Sequence, residues 1–248
     1  QDPVSPDAIA RLALRTNCRS VAFTYNDPVI FHEYAVDSAK ACRAFGLHTV
    51  AVSAGYQCAE PRAEFYQQMD AANIDLKAFS EAFYQRLCGG HLQPVLETLS
   101  YIHHETPTWL EITTLLIPGE NDSARELESL TQWIVENLGP EVPLHFSAFH
   151  PDWKMPEAPA TSLTALVDAR RIAKKNGLRH VYVGNVHCPE GGNTFCHHCG
   201  QLLIDRDRYA LSEWNWNNPG TCDRCGTRCA GVFEANGPQG LRPSSPFE

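Results

Sequence analysis

No apolar stretch among the 248 residues approaches the roughly 18 to 20 needed to cross a bilayer as a helix, so the sequence predicts no membrane span. No cluster of lysine or arginine stands out, and the net charge is −9. An electrostatic grip on nucleic acid or anionic lipid is thereby disfavoured, and small-molecule chemistry is expected. No signal-type leader is visible, and the chain opens on Gln1 rather than methionine, so upstream sequence is expected to have been removed. A secreted disulfide framework is missing as well. Of ten cysteines, four stand in two C-x2-C pairs and the rest are scattered, which suits metal ligands in a reducing cytoplasm.

With 43% hydrophobic residues the chain can bury one sizeable core and carry a small appendage. Six short runs rich in Val, Ile, Leu and Phe read as strands: Ser20 to Tyr25, His48 to Ser53, Ile74 to Lys77, Leu110 to Ile117, Leu144 to Phe149 and His180 to Val183. Helix-length segments separate them, as in βα units, so the sequence predicts an α/β fold with a parallel sheet. Helices are expected from Ser5-Pro6-Asp7 to Leu14, Pro28 to Phe45, Glu60 to Ala72, in two pieces between Ser80 and His104, from an Asn121-Asp122 cap to Leu138, and from Thr161 to Lys175. Beyond Asn185 the rhythm fails. We expect a barrel-like domain over 1–186, a small module over 187–235 and a disordered tail over 236–248.

That module carries Cys196-His197-His198-Cys199-Gly200 and Cys222-Asp223-Arg224-Cys225-Gly226. Two knuckles separated by 22 residues, 200 to 221, suit a tetrahedral zinc held by Cys196, Cys199, Cys222 and Cys225, and the glycines permit the tight turns. So small a module has too little core to fold unaided, so the metal supplies its stability. Cys229 extends the second pair to C-x2-C-x3-C, so an iron-sulfur cluster is the rival, with His187, Cys188, His197 or His198 as substitute ligands. Cys229 reads otherwise as a small buried hydrophobe.

A parallel sheet works at the carboxyl ends of its strands. In Ile74-Asp75-Leu76-Lys77, alternation turns Asp75 and Lys77 to one side, where they must pair or bind something polar. Tyr25-Asn26-Asp27 closes its strand before a helix and reads either as a charged-ligand site or as ordinary capping. Ser53-Ala54-Gly55 is a strand-to-loop turn, and His150 is a ligand contact or a hydrogen-bonded structural residue. The segments 60–64 and 151–159 are expected as loops at the rim, with Trp153 packing on a ligand or covering the barrel mouth.

Ala22-Phe23-Thr24-Tyr25-Asn26-Asp27-Pro28, Ile74-Asp75-Leu76-Lys77, Ile117-Pro118-Gly119-Glu120-Asn121-Asp122 and the four-cysteine ribbon together resemble the radical S-adenosylmethionine (SAM) enzymes of the AmmeMemoRadiSam system. These are relatives of the pyruvate formate-lyase activating enzymes. The resemblance implies a partial, six-stranded (β/α) TIM-like barrel holding a [4Fe-4S] cluster and SAM. An electron from the cluster cleaves the sulfonium bond, and the resulting 5'-deoxyadenosyl radical abstracts hydrogen. A reductant such as flavodoxin or ferredoxin is implied, and a substrate that can be a partner protein.

By the same resemblance, Tyr25, Asn26 and Asp27 match a Gly-Gly-Glu-type motif that receives the methionine amino group. Asp75 and Lys77 match the pair near the methionine carboxylate, Ser53 a neighbouring contact, and His150 a histidine beside ribose or adenine. Asp27 stands where glutamate is usual, and Ala54 where asparagine is common. The C-x3-C-x2-C motif that binds the cluster is absent, and Cys18, Cys42, Cys58 and Cys88 do not rebuild it. We therefore expect a fragment without the first barrel strand, unable to make the radical alone. Two rivals remain at this point: a zinc-ribbon scaffold with a degenerate, partner-binding barrel, and an aldolase-type barrel using Lys77 for a Schiff base.

Overall fold

The structure, a computed structural model, describes residues 4–207, 210–218 and 220–233. The expected disordered tail, 236–248, lies outside the described residues. Among the described residues no helix is long and apolar enough to cross a membrane. Six strands in sequence order make a mostly parallel α/β sheet, and short antiparallel pairs follow it. The chain divides into two compact units, residues 1–115 with 136–138 and residues 116–135 with 139–248.

The first unit begins with α1 (Pro6–Arg15), β1 (Ser20–Phe23), a 3-10 turn over Pro28–Phe31, α2 (His32–Ala44) and β2 (His48–Ser53). It continues through α3 (Ala59–Tyr66), β3 (Ala71–Asp75), α4 (Glu81–Phe83), a π turn over Tyr84–Cys88, α5 (Leu92–Glu105) and β4 (Trp109–Leu116). Ser5 accepts the Ala8 N–H at 3.3 Å and Ser80 the Phe83 N–H at 3.1 Å, each satisfying a donor that a first helical turn leaves orphaned. Ala10 and Ala13 of α1 bury against Cys42 and Leu47, which fixes α1 on α2.

Burial alternates along the strands of this unit. Thr49, Ala51 and Ser53 in β2, Ala72 and Ile74 in β3, and Leu110 and Ile112 in β4 are buried. The residues between them, Val50, Val52, Asn73, Asp75, Glu111 and Thr113, are half-buried. One face is closed by apolar packing, and the other is polar and partly open. The register aligns Phe23 with Ala51, Ser53 with Ile74, and Asp75 with Thr113, so three strand exits stand side by side.

Several expected boundaries move. Helix α3 ends at Tyr66, not Ala72, because Asp70 N–H already donates to Thr49 O at 2.9 Å and Ala71–Ala72 enter the ladder. Two alanines are good helix formers, but strand pairing on both sides outweighs that weak preference. Strand β3 accordingly ends at Asp75, with Lys77 past it, although Ile74 and Leu76 are both 0% exposed as the alternation requires. Pro28 opens a 3-10 turn rather than α2. Asn121 and Asp122 are not helix caps. They accept the Ile117 and Gly119 N–H groups at 2.7 and 2.9 Å, holding the Pro118-Gly119 turn, and Ser123 caps α6 (Ala124–Leu138).

The second unit carries β5 (Leu144–Ala148), α7 (Leu163–Lys175) and β6 (Val181–Gly184), with Leu144 level with Val181. After α8 (Pro189–Gly192) come β7 (Thr194–Phe195), β8 (Leu202–Asp207), β9 (Ala210–Trp214), β10 (Trp216–Asn218) and β11 (Thr221–Cys222). Strands β7, β8 and β9 are antiparallel neighbours, and β10 pairs with β11. Cys196, Leu203, Ile204, Cys222 and Cys229 form a small core of their own, walled by Leu211, Trp214, Trp216 and Phe233.

Candidate functional site

The exit of β1 is built on two left-handed residues in succession. Tyr25 has φ 52° and Asn26 φ 57°, conformations that glycine adopts freely and that cost other residues on the order of 1 kcal/mol or more each. They deliver Asp27, whose Oδ1 accepts the Val29 N–H at 3.2 Å and the Ser53 hydroxyl at 2.9 Å, while Oδ2 accepts the Ala54 N–H at 2.7 Å. One carboxylate thus ties the exit of β1 to that of β2. Ser53 Oγ also accepts the Gly55 N–H at 3.0 Å. Gly55 admits no side chain: a Cβ there would lie 2.8 Å from Ile74 Cγ2.

On the half-open face of the sheet, Lys77 Nζ donates to Asp75 Oδ2 at 2.8 Å, with the side chains 39% and 37% exposed. The Lys77 backbone N–H donates to the Tyr84 hydroxyl at 3.1 Å, so the π turn steadies the segment that carries the ammonium. Burial pushes the Tyr84 phenol well above its usual range. Asp27 and Ser53 therefore meet directly, and Asp75 and Lys77 form a second pair at the neighbouring exit. Ser53 belongs to the buried face and Asp75 to the half-open one.

The remaining expected contacts, His150 and Trp153, lie in the second unit. His150, exposed, has its Nδ1 3.8 Å from Asp152 Oδ2. Trp153 is 84% exposed and meets Lys154 Nζ 4.3 Å above its ring, so it covers nothing. The segment 60–64 is helical, inside α3, rather than a loop. Sequence reasoning missed Tyr84 and Gln57. Gln57 is 7% exposed, on the loop leaving β2, and neither of its amide atoms has a hydrogen-bond partner among the described residues. A buried, orphaned amide on the loop leaving β2 is a group that a polar ligand would satisfy. No periodicity in the sequence signals it.

The four ribbon cysteines converge. Cys196 Sγ lies 3.6 Å from Cys225 Sγ and Cys199 Sγ 3.7 Å from Cys222 Sγ, with all four sulfurs within 4.8 Å of one another. Zn–S bonds of about 2.3 Å in a tetrahedron require S–S edges of about 3.8 Å, so the set fits zinc. Gly200 and Gly226, at φ 72° and 71°, make the turns behind the knuckles. The Thr227 hydroxyl, 3.2 Å from Cys225 Sγ, and then the Thr227 N–H lower that thiol's pKa, while Cys199, in the same cluster, is raised, so the four thiols share their protons until a metal displaces them. An iron-sulfur cluster of the barrel type does not fit. Cys42 is buried in α2, Cys18, Cys58 and Cys88 are exposed, and none of these belongs to a group of three metal-capable side chains among the described residues.

The six-stranded sheet with its row of strand exits is an α/β fold of the open-barrel kind. The sequence pattern of the radical SAM superfamily matches residues 1–130. An uncharacterized protein of Methanocaldococcus jannaschii is 38% identical over 203 residues, 82% of this chain and 60% of its own length. The chain belongs to the radical SAM superfamily, and spans about three fifths of that archaeal relative. A domain of the pyruvate-formate lyase-activating enzyme from Bacteroides vulgatus superposes with TM-score 0.59 at 18% identity, covering 67% of this chain and 99% of that domain. A radical SAM methyltransferase from Sphaerobacter thermophilus gives TM-score 0.59 at 16% identity, over 79% of this chain and 58% of that one. These two likenesses concern the fold.

Proposed function

We propose that the strand exits of the first unit receive the methionine moiety of SAM, with Tyr25, Asn26 and Asp27 at its amino group and the Asp75–Lys77 pair near its carboxylate. The observation that carries this reading is the Asp75–Lys77 pair, 2.8 Å apart and more than a third exposed on the polar face. A zwitterion is matched by an acid and a base side by side, because each end replaces the water that charge would lose on binding. The left-handed pair Tyr25–Asn26 gives the backbone shape that glycines supply in a Gly-Gly-Glu-type loop, which supports the same assignment. Ser53 contributes by holding Asp27, and His150 is proposed beside the ribose or adenine.

For the whole protein we propose the radical SAM reaction, reductive cleavage of SAM followed by hydrogen abstraction from a substrate, within the AmmeMemoRadiSam branch and with a flavodoxin- or ferredoxin-type electron donor. A [4Fe-4S] cluster supplies the electron in that chemistry, and its thiolates are not among the residues of this chain. The chain's own part is to bind and orient SAM. Residues 187–235 are proposed as a zinc-ribbon module, whose closed set of four thiolates stabilises structure and leaves no position open for catalysis.

Calorimetric titration of the zinc-loaded chain with SAM tests the reading. Saturable binding that weakens at least tenfold in Lys77→Met and Asp75→Asn is expected. Heat indistinguishable from dilution, with the ribbon metal in place, overturns it and favours the partner-binding scaffold.

A further inference from the structure

A second cluster of metal-capable side chains lies in the second unit, next to the four-cysteine set but outside it. Glu141 sits on the connection between α6 and β5, His180 immediately before β6, and His197 inside the first knuckle. One ligand atom from each lies within 4.8 Å of the other two. Glu141 Oε2 is 3.2 Å from His180 Nε2. Two ligands at about 2.0 to 2.1 Å from one tetrahedral ion are separated by about 3.3 Å, so this contact already has the spacing of a shared metal. His180 and His197 meet edge to face, 6.4 Å between ring centres, and Cys229 Sγ lies 4.0 Å from the same His180 nitrogen.

The surroundings resemble a supporting shell. Arg179 engages the other carboxylate oxygen of Glu141, fixing the group while Oε2 faces the histidine. Ligating carboxylates are held in this way by outer hydrogen bonds. His180 and Cys229 are both 4% exposed, so the site is dry on that side. Two imidazoles, a carboxylate and a nearby thiol suit a borderline divalent ion such as zinc or cobalt, and suit magnesium or calcium poorly.

We propose that Glu141, His180 and His197 form a second metal site for a zinc-type divalent cation, with three protein ligands, separate from the four cysteines of the ribbon site. Such an ion ties the first knuckle to the segments that precede β5 and β6. The folded ribbon and the sheet edge then share one metal-dependent stability. The assignment does not depend on SAM binding.

Metal content after equilibration with excess zinc and desalting tests it, together with cobalt titration of the metal-free chain. The wild-type chain is expected to hold two equivalents. The first cobalt equivalent brings strong thiolate-to-metal charge-transfer absorption, and the second adds chiefly weak ligand-field bands. His180→Gln and Glu141→Gln should each hold one equivalent and keep the thiolate bands. One equivalent in the wild type overturns the proposal, as do two equivalents in both variants. Should His180→Gln fail to fold, the wild-type stoichiometry and Glu141→Gln still decide.

Discussion

Ser53 donates its hydroxyl to Asp27 Oδ1 at 2.9 Å, across 26 positions of sequence, and through this bond the exit of β1 is fastened to the exit of β2. The Ala54 N–H completes the clamp at 2.7 Å on Oδ2. Asp27 carries the strained Tyr25–Asn26 backbone as well, so three donors on one carboxylate hold a conformation those residues would not choose alone. Removing the acceptor strands the Ser53 and Ala54 donors. Asp27→Ala should therefore cost about 1 to 3 kcal/mol of stability, a fall of a few degrees in Tm, measured by thermal unfolding of the zinc-loaded chain. Asp27→Glu, the residue usual in the resembling family, should recover part of that loss. An alanine variant as stable as wild type would remove the clamp from the account.

The rhythm of strand and helix was legible because it is local. Val, Ile and Phe runs gave β1, β2 and β4 within a residue or two, and Ser5 before Pro6 gave the start of α1. Ala71 and Ala72 were misread because their partners, Val50, Ala51, Trp109 and Leu110, lie far away in sequence. The knuckles were legible since both ligands of each pair sit within one turn. The grouping of Glu141, His180 and His197 was not, because three separate elements supply one residue each and no spacing encodes it. Asp75 and Lys77 could be paired from strand alternation alone. The Tyr84 hydroxyl that positions Lys77 depends on a π turn the sequence does not announce.

The Asp75–Lys77 pair separates binding from stability. With both side chains more than a third exposed, the pair contributes little to folding, on the order of 1 kcal/mol or less. Lys77→Met should leave the unfolding transition nearly unchanged while weakening SAM binding at least tenfold. Parallel calorimetry and denaturant melts check this. A variant that loses several kcal/mol of stability with unaltered SAM affinity would make the pair structural.

Zinc withdrawal should act on the ribbon before the helices. Metal binding in comparable small modules is worth about 10 to 16 kcal/mol, more than a core of this size can replace. Trp214 and Trp216 pack against Phe233, at 6.3 and 4.8 Å between ring centres, beside the cysteine core. A strong chelator, or Cys222→Ser, should therefore shift tryptophan emission to the red while the helical circular-dichroism signal falls little. Unchanged emission after verified metal loss would mean the ribbon packs without its ion.

Asp70 supplies the pH dependence. Its Oδ2 accepts the Thr49 N–H at 2.9 Å and its Oδ1 the Arg43 guanidinium at 2.6 Å. Burial alone would raise its pKa, but the Thr49 N–H and then Arg43 outweigh burial and hold the carboxyl below its ordinary 3.8. A carboxyl with a lower pKa folded than unfolded stabilises the fold above the unfolded value and loses that contribution as pH falls through the folded one. Asp70→Asn should thus cost about 1 to 3 kcal/mol at pH 7, since charge-assisted bonds are lost. The gap to wild type should begin to narrow below about pH 4, where the unfolded carboxyl takes up its proton, and should close only as the pH falls through the lower folded value. Denaturant midpoints at pH 7, 5, 4 and 3 measure this, and a gap that does not change with pH would show that shape rather than charge holds Thr49 and Arg43 in place.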